Sequence, residues 1–216
     1  MFLTKENNIK WWAIGLGAII TAVLVFLGIN WFDVPVSNFA IKFNNKWIET
    51  FSSVFCSKNW LVMSFLAVVV FYAHKILRAH EKIGFKESLL KIKSSYAFFV
   101  CCSVFTAAFV GAGLKWIIGR ARPTATMMRA DIFDPGTWNW FYNSMPSGHT
   151  LLSFAGLVMI GLLAPRAKWF TWTLAIAIGV SRIVVGAHWT TDVIVGAFVG
   201  MVCADIVKSV LARRIK

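Results

Sequence analysis

Acidic residues are scarce in this sequence: nine Asp and Glu stand against 22 Lys and Arg, which gives a formal net charge of +13. In a soluble protein, such a charge raises the question of nucleic-acid binding. Here the basic residues cluster beside long apolar runs, a pattern that favours membrane topology and contact with anionic lipid. We therefore expect no nucleic-acid partner.

Cysteine is also sparse, with four residues at positions 56, 101, 102 and 203. None of them has the spacing of a metal site or a redox pair. The sequence has no cluster of carboxylates that would suit Mg²⁺ and no Cys/His set that would suit Zn²⁺. We expect neither a metal ion nor any other cofactor. A small-x-small cleavage site is missing after the first apolar run, so we interpret that run as a retained membrane span.

Long hydrophobic runs dominate what is present, because 58% of the residues are hydrophobic. A run of about 18 or more apolar residues predicts a membrane-spanning helix. The sequence predicts an all-α integral membrane bundle of six transmembrane helices, with residues 1–216 forming a single domain. The six spans are predicted near residues 11–30, 59–77, 95–114, 147–164, 169–186 and 190–210.

The segment between the first two spans, residues 32–58, is mixed rather than apolar. Its apolar residues recur at three- and four-residue spacing, opposite polar ones, which predicts an amphipathic helix lying in the membrane interface. A helix packed over the mouth of the bundle has the same pattern. Both interpretations add one helix between spans 1 and 2.

The distribution of positive charge predicts the orientation. Six spans leave both termini on one side, together with the basic 75–93 loop and the 165–168 turn, and this side holds most of the Lys and Arg residues. The positive-inside rule therefore predicts cytoplasmic termini. Segments 31–58, 115–146 and 187–190 then face the outside.

Polar residues near membrane depth are costly and indicate function. In the stretch 181–192, His188 and Asp192 are four residues apart, so a helix that begins near Trp189 would bring them onto one face. A carboxylate there would fix the imidazole tautomer and make the other nitrogen a better nucleophile. The alternative is a structural ion pair between Arg182 and Asp192, with His188 as a capping residue.

Two cations close the third span. Lys115 and Arg122 are seven residues apart, so on a continuous helix they would share a face and suit an anion. Arg120 would point elsewhere, toward lipid headgroups or the surface. The alternative is a set of cations that snorkel at the end of a span.

The fourth span opens with Pro146, Ser147, Gly148 and His149. Free amides at a helix start, with the positive end of its dipole, form a phosphate cradle. Ser147 adds a hydroxyl, Gly148 lets a ligand approach the backbone, and His149 at the lip is able to give up a proton. A helix cap with an interfacial histidine would look the same.

Taken together, Lys115-x6-Arg122-Pro123, Pro146-Ser147-Gly148-His149 and Ser181-Arg182-x5-His188-x3-Asp192 resemble the three signature motifs of the type 2 phosphatidic acid phosphatase (PAP2) superfamily. The resemblance implies that His188 takes up the phosphoryl group, that Asp192 orients it and that His149 protonates the leaving oxygen. The phosphate oxygens would be held by Lys115, Arg122, Ser147, Gly148 and Arg182.

The implied activity is that of a metal-independent bacterial inner-membrane lipid phosphatase whose site faces away from the cytoplasm. Its substrate would be undecaprenyl diphosphate, phosphatidylglycerophosphate, phosphatidic acid or a lipid A phosphate. Loop 124–145, rich in Met and aromatic residues, is where we expect lipid selectivity. One alternative is a phosphotransferase that passes the phosphoryl group to another lipid, and another is a non-catalytic lipid-binding protein.

Overall fold

The computed structural model describes residues 2–80, 94–126 and 128–214, and within these ranges the fold is all-helical, as predicted, with no β-strand. The basic loop predicted at 75–93 lies largely outside the described residues. The α-helices are α1 (Trp11–Leu27), α2 (Asp33–Ala40), α3 (Lys46–Val54), α4 (Ser57–His80), α5 (Ser94–Ile118), α6 (Gly148–Leu163), α7 (Lys168–Val184) and α8 (Thr190–Arg214).

The first helix is longer than the predicted first span. A π-helical turn, Gly28–Phe32, joins α1 to α2, and the helix runs on through a 3₁₀ turn, Ile41–Phe43. Together they form one helix of 33 residues, Trp11–Phe43. Pro35 lies near the start of α2, and its missing N–H disturbs the regular hydrogen-bond ladder of the preceding turn.

The single amphipathic helix expected over residues 32–58 is divided in two. Its first part continues the first helix to Phe43, and α3 begins afresh at Lys46. The break lies at Asn45, whose side-chain oxygen accepts hydrogen bonds from the amides of Trp47 and Ile48 at 3.0 and 3.1 Å. Asparagine is favoured at the N-cap because its side chain accepts from these first amides, and a new helix therefore begins after Asn45.

Three helices in the described parts of the chain are long and apolar enough to cross a membrane: Trp11–Phe43, Tyr96–Ile118 and Thr190–Arg213. A fourth span results if α3 and residues Ser57–Ala73, which meet at a bend of 42°, are taken together. Helix α6 is apolar but shorter, so length and composition alone support three or four of the six predicted spans.

Helix α6 is the centre of the bundle and packs on α5, α7 and α8. Ten of the eleven residues from Thr150 to Ile160 are buried, since only Ile160 is partly exposed. Helix α8 approaches α6 closely at Gly196 and Gly200, where an added Cβ would lie 2.9 Å from the Ser147 carbonyl and 2.5 Å from the Leu151 carbonyl. Two small residues four apart permit such contact between membrane helices.

Residues near the start of the chain contact the C-terminal half of α8. The Phe2 amide donates to Asp205 Oδ2 at 2.7 Å, and Arg213 donates to the side chain of Asn8 at 2.9 Å. Helix α8 has 25 residues, so at 1.5 Å per residue it is roughly 36 Å long. The polar residues at its Thr190 end are therefore well separated from Phe2 and Arg213.

Candidate active site

The end of α5 differs from the prediction. The helix stops at Ile118, and Gly119 turns the chain with a φ of 57°, a left-handed conformation that glycine adopts without strain. Lys115 and Arg122 are therefore not on one helix face. They nevertheless converge, because the Asn143 carbonyl accepts hydrogen bonds from Lys115 Nζ at 2.5 Å and from Arg122 Nη2 at 3.3 Å.

Arg122 is buried among carbonyl groups and an aromatic ring. Its Nε donates to the Trp140 carbonyl at 3.1 Å, and Nη1 donates to the Ala187 carbonyl at 2.9 Å. Its guanidinium carbon lies 4.2 Å from the centre of the Trp140 ring. Nη1 also lies 3.3 Å from His188 Nε2. These contacts hold the cation rigidly beside the imidazole.

The start of α6 lies against the start of α8. The Ser147 amide donates to the Asp192 carbonyl at 3.0 Å, and the Ser147 hydroxyl, fully buried, accepts from Thr150 Oγ1 at 3.0 Å. The Lys115 side chain runs beside Gly148, since its Cε is 3.9 Å from where a Gly148 Cβ would stand. The first amides of α6, which have no intrahelical acceptor, thus lie near a lysine.

His149 belongs to the same region, because the charges of Arg182, Arg122 and Lys115 all act on it. It is only partly buried, whereas His188 is 2% exposed. The more accessible of the two imidazoles therefore lies on α6, and the enclosed one lies just before α8.

His188 and Asp192 meet as predicted, although His188 lies outside the helix. Asp192 Oδ2 is 3.6 Å from His188 Nδ1 and accepts hydrogen bonds from the Trp189 amide at 2.9 Å and the Ser144 hydroxyl at 2.5 Å. The same hydroxyl is 3.4 Å from His188 Nδ1. Asp192 therefore caps the start of α8 and faces one nitrogen of the imidazole.

The protonation of His188 follows from these neighbours. Burial lowers its pKa to about 3; Asp192 opposes the shift, while the positive charges of Arg122 and Lys115 reinforce it. The ring is therefore neutral near pH 7. Because a guanidinium is a donor only, its contact with Nε2 favours the tautomer that carries the proton on Nδ1, toward Asp192.

The alternative ion pair between Arg182 and Asp192 does not form. Arg182 Nη1 donates instead to the buried Ser52 hydroxyl on α3 at 2.5 Å. The Arg182 carbonyl accepts from the amides of Ala187 and His188 at 3.1 and 3.3 Å. Its Nε is buried and has no hydrogen-bond partner within the described structure, so this donor is available to an additional acceptor.

The expectation that Arg120 faces headgroups or the surface is wrong. Its side chain is fully buried, and it forms ion pairs with Asp192 at 2.8 Å and with Asp33 at 2.7 Å. Sequence reasoning missed Asp33, although a carboxylate within a long apolar helix signals a functional role. It also missed Ser52 and Ser144, for which the sequence offers no such signal.

No group of three or more His, Cys, Asp or Glu side chains in the described ranges is arranged to hold a metal ion. The loop between α5 and α6 presents exposed aromatic side chains at Trp138, Trp140 and Phe141, and the Trp140 ring packs on the Arg122 guanidinium. Met127 of the same loop lies outside the described residues.

Comparison with known proteins agrees with these motifs. A family model described as the PAP2 superfamily matches residues 96–216. Lipid A 1-phosphatase of Rhizobium johnstonii is 28% identical over 199 residues, covering 90% of this chain and 79% of that protein. Undecaprenyl-diphosphatase of Sulfolobus acidocaldarius is 30% identical over 99 residues, covering 45% of this chain and 47% of that protein.

Among solved structures, a transmembrane PAP2-type phosphatidylglycerolphosphate phosphatase from Bacillus subtilis superposes with a TM-score of 0.63 at 18% sequence identity, covering 94% of this chain and 96% of that one. At this level of identity, the likeness shows a shared fold. The family match covers more than half of the sequence and includes all three clusters of polar residues described above. The chain therefore belongs to the PAP2 superfamily.

Proposed function

We propose that this protein is a membrane lipid phosphatase that cleaves a phosphomonoester or diphosphate through a phosphohistidine at His188. The family and the named lipid phosphatases among its relatives support a phosphatase acting on lipid. The observation that carries the proposal is the pair of contacts on His188. Arg122 faces Nε2 at 3.3 Å and Asp192 faces Nδ1 at 3.6 Å, so a neutral, oriented nucleophile lies beside a cation.

In the first step, His188 Nε2 attacks phosphorus and the bond from phosphorus to the lipid oxygen breaks. His149 gives a proton to the departing oxygen, and the lipid product leaves as an alcohol or, from a diphosphate, as a monophosphate. In the second step, His149 takes a proton from water, whose oxygen attacks the phosphohistidine. The N–P bond breaks, inorganic phosphate is released, and His188 returns to its neutral form.

Charge stabilisation is the main catalytic effect in this scheme. Lys115, Arg122 and Arg182 supply positive charge, and the Ser147 hydroxyl with the Gly148 amide supplies further donors to the phosphate oxygens. Asp192 holds the Nδ1 proton and stabilises the positive charge that develops on the imidazole. Because these cations can neutralise the phosphate, we propose that catalysis is independent of metal ions.

For the substrate, we propose a lipid whose phosphate lies at the membrane surface: undecaprenyl diphosphate, phosphatidylglycerophosphate, phosphatidic acid or a lipid A phosphate. The relatives include a lipid A 1-phosphatase and an undecaprenyl-diphosphatase, which supports this class without selecting a member. The exposed aromatic residues of the α5–α6 loop are suited to contact lipid beside Arg122.

For topology, we propose one domain over residues 1–216 with six spans in a bacterial inner membrane, cytoplasmic termini and a site that faces outward. The contacts of Phe2 with Asp205 and of Asn8 with Arg213, at the end of α8 distant from His188, support termini on one side and the site on the other. In this arrangement, α3 lies at the outer surface beside Arg182.

The proposal is tested by phosphate release from the four lipids by the purified full chain in detergent, with and without EDTA. We expect release from at least one lipid, unchanged by EDTA and abolished in H188A. Full activity in H188A would refute the nucleophile, and loss with EDTA would refute metal independence. Radiolabelled phosphate that appears in a second lipid instead of in solution would identify a phosphotransferase. Tight lipid binding without turnover would favour a binding protein.

A further inference from the structure

We propose that Arg120 and Asp33 are positioning residues that act on His188 through Asp192. This inference rests on the proposed function, since it assigns them to the imidazole that would take up phosphate. Neither residue touches the imidazole. Asp192 links them to it, because Oδ1 of its carboxylate accepts from Arg120 at 2.8 Å while Oδ2 lies 3.6 Å from His188 Nδ1.

Arg120 has every donor engaged. Its Nη1 donates to Thr191 Oγ1 at 2.6 Å and to Asp192 Oδ1 at 2.8 Å. Its Nη2 donates to Asp33 Oδ2 at 2.7 Å and, like Nε, to the Ala130 carbonyl, at 3.0 and 3.1 Å. A guanidinium has five N–H groups, and these contacts use all of them. The orientation of Arg120, and with it that of Oδ1 of Asp192, is thereby fixed.

Asp33 brings the first helix into this network. Its Oδ2 accepts from Thr191 Oγ1 at 2.5 Å as well as from Arg120, and its Oδ1 accepts from the Thr191 amide at 3.0 Å. The π-helical turn ends just before Asp33, and an added Cβ on Gly28 would collide with the Thr191 methyl. The first helix therefore lies close enough to α8 for its carboxylate to reach the residue beside Asp192.

The charges of the three buried side chains show what Asp33 contributes. Arg120 lies between two carboxylates, and all three side chains are fully buried. If Arg120 faced Asp192 alone, its charge would cancel the negative charge that a positive imidazole needs. Asp33 offsets Arg120, so the group keeps one net negative charge, and Oδ2 of Asp192, which faces His188, is the oxygen that Arg120 does not contact.

A merely structural role would suit the same contacts, so the test must measure the imidazole itself. The chain has four histidines, which makes ¹⁵N-histidine labelling practical, with the His188 signal assigned from its absence in H188Q. At neutral pH, the ¹⁵N shifts distinguish the tautomer protonated on Nδ1 from the one protonated on Nε2. We expect the Nδ1 form in the wild type and a mixture of both forms in D33N.

Asp33→Asn preserves shape and, with its one oxygen at the position of Oδ1, the acceptor for the Thr191 amide; it removes the charge and the acceptor that Oδ2 offers to Arg120. We expect kcat to fall about 10- to 100-fold, by analogy with the loss seen when a partner that orients a metal-bound histidine is removed. The KM should stay within about twofold, because the proposed phosphate-binding cations are untouched. The kinetic assay uses the lipid of the four-lipid panel that the wild type hydrolyses fastest. Arg120→Lys, which keeps the charge but loses the fork, should shift the tautomer in the same direction.

Asp131→Asn is the matched control. It removes another Arg-paired carboxylate, at 3.1 Å from Arg129, but this pair is exposed and lies apart from the network. It should change neither the tautomer nor kcat. The inference is overturned if D33N keeps the wild-type tautomer, whatever its thermal stability. A wild type that hydrolyses none of the lipids refutes the proposed function, and the tautomer measurement then still decides the role of Asp33.

Discussion

Nη1 of Arg122 lies 3.3 Å from Nε2 of His188, which is the ring nitrogen that faces away from Asp192. A cation at this position favours the neutral imidazole and holds its lone pair toward the site. In the proposed reaction, the same cation would then stabilise the phosphoryl group as it arrives at Nε2.

Arg122→Ala should therefore reduce kcat strongly. Removal of one donor that stabilises transition-state charge typically costs about 100- to 1,000-fold. Arg129→Ala is the control, since Arg129 lies on the same loop but its side chain is 67% exposed. Steady-state kinetics of both variants should show the loss only in R122A. Equal losses in the two would contradict a specific role of Arg122.

The two histidines should differ in their sensitivity to the leaving group. His149→Ala should hydrolyse a lipid phosphate about 100- to 10,000-fold more slowly than the wild type, the range for general acid catalysis. The loss of rate should be smaller on p-nitrophenyl phosphate, whose leaving group needs no proton. His188→Ala should lose both activities. Parallel assays with the two substrates make the comparison, and equal losses in H149A on both substrates would refute its role as the acid.

Ser52 should matter because its hydroxyl holds a proposed phosphate-binding arginine. Ser52 is 1% exposed and accepts from Arg182 at 2.5 Å. A hydrogen bond to a charged group contributes about 1.5–3 kcal/mol, so S52A should raise KM by about tenfold or more. The neighbouring Ser53 is exposed, and its hydroxyl donates to the Thr50 carbonyl at 2.8 Å. An S53A variant with the same rise in KM would contradict the assignment.

His188 should make the fold sensitive to acid. The folded protein holds its pKa at about 3, below the ordinary value of 6.5, mainly through burial and the nearby charges of Arg122 and Lys115, with Asp192 opposing. Between these values, the unfolded chain binds a proton that the folded one does not, so stability falls as the pH drops.

This contribution is tested by thermal unfolding in detergent across about pH 4 to 7. His188→Gln should flatten the dependence of the unfolding midpoint on pH, because up to one bound proton per chain no longer differs between the folded and unfolded states. Superimposable pH profiles for the wild type and the variant would show that His188 is not the group responsible.

Three glycines separate backbone strain from collision. Gly119 has a φ of 57°, and the Asp134 carbonyl occupies the space of a Cβ; Gly136 has a φ of 84° with open space; Gly113 has open space and no unusual φ. Substitution by alanine at Gly113 should leave the stability of the protein unchanged or raise it. The same substitution should lower the stability by about 1–2 kcal/mol at Gly136 and by more at Gly119. Unfolding midpoints that do not follow this order would refute the steric account of the α5 terminus.

Much of the geometry of the candidate site was predictable from sequence because its residues have distinctive chemistry at helix ends. His188 and Asp192 meet as their spacing predicts, and Ser147 starts α6 as its neighbours Pro146 and Gly148 indicate. The convergence of Lys115 with Arg122 was predicted for the wrong reason. Helical periodicity does not report that Gly119 ends α5 and that a loop carbonyl joins the two cations.

The partners of the site residues were less predictable. Arg120 and Asp33 are far apart in the chain, and their pairing depends on how the first helix packs against α8. Periodicity assigned the segment that contains Asp33 to an interfacial helix, because it describes one helix at a time. The contact between the Ser52 hydroxyl and Arg182 was not predictable for the same reason, because it depends on the packing of α3 against α7.

The carbonyl of Asn143, which accepts from both Lys115 and Arg122, has a consequence for turnover. Under the proposed function, the oxygens of an incoming phosphate replace the Asn143 carbonyl as acceptors for Lys115 and Arg122. These two cations are therefore already hydrogen-bonded before the phosphate binds. After hydrolysis, the departing inorganic phosphate is likewise replaced by a backbone oxygen already at hand. Product inhibition should therefore be weak for a pocket with this much positive charge.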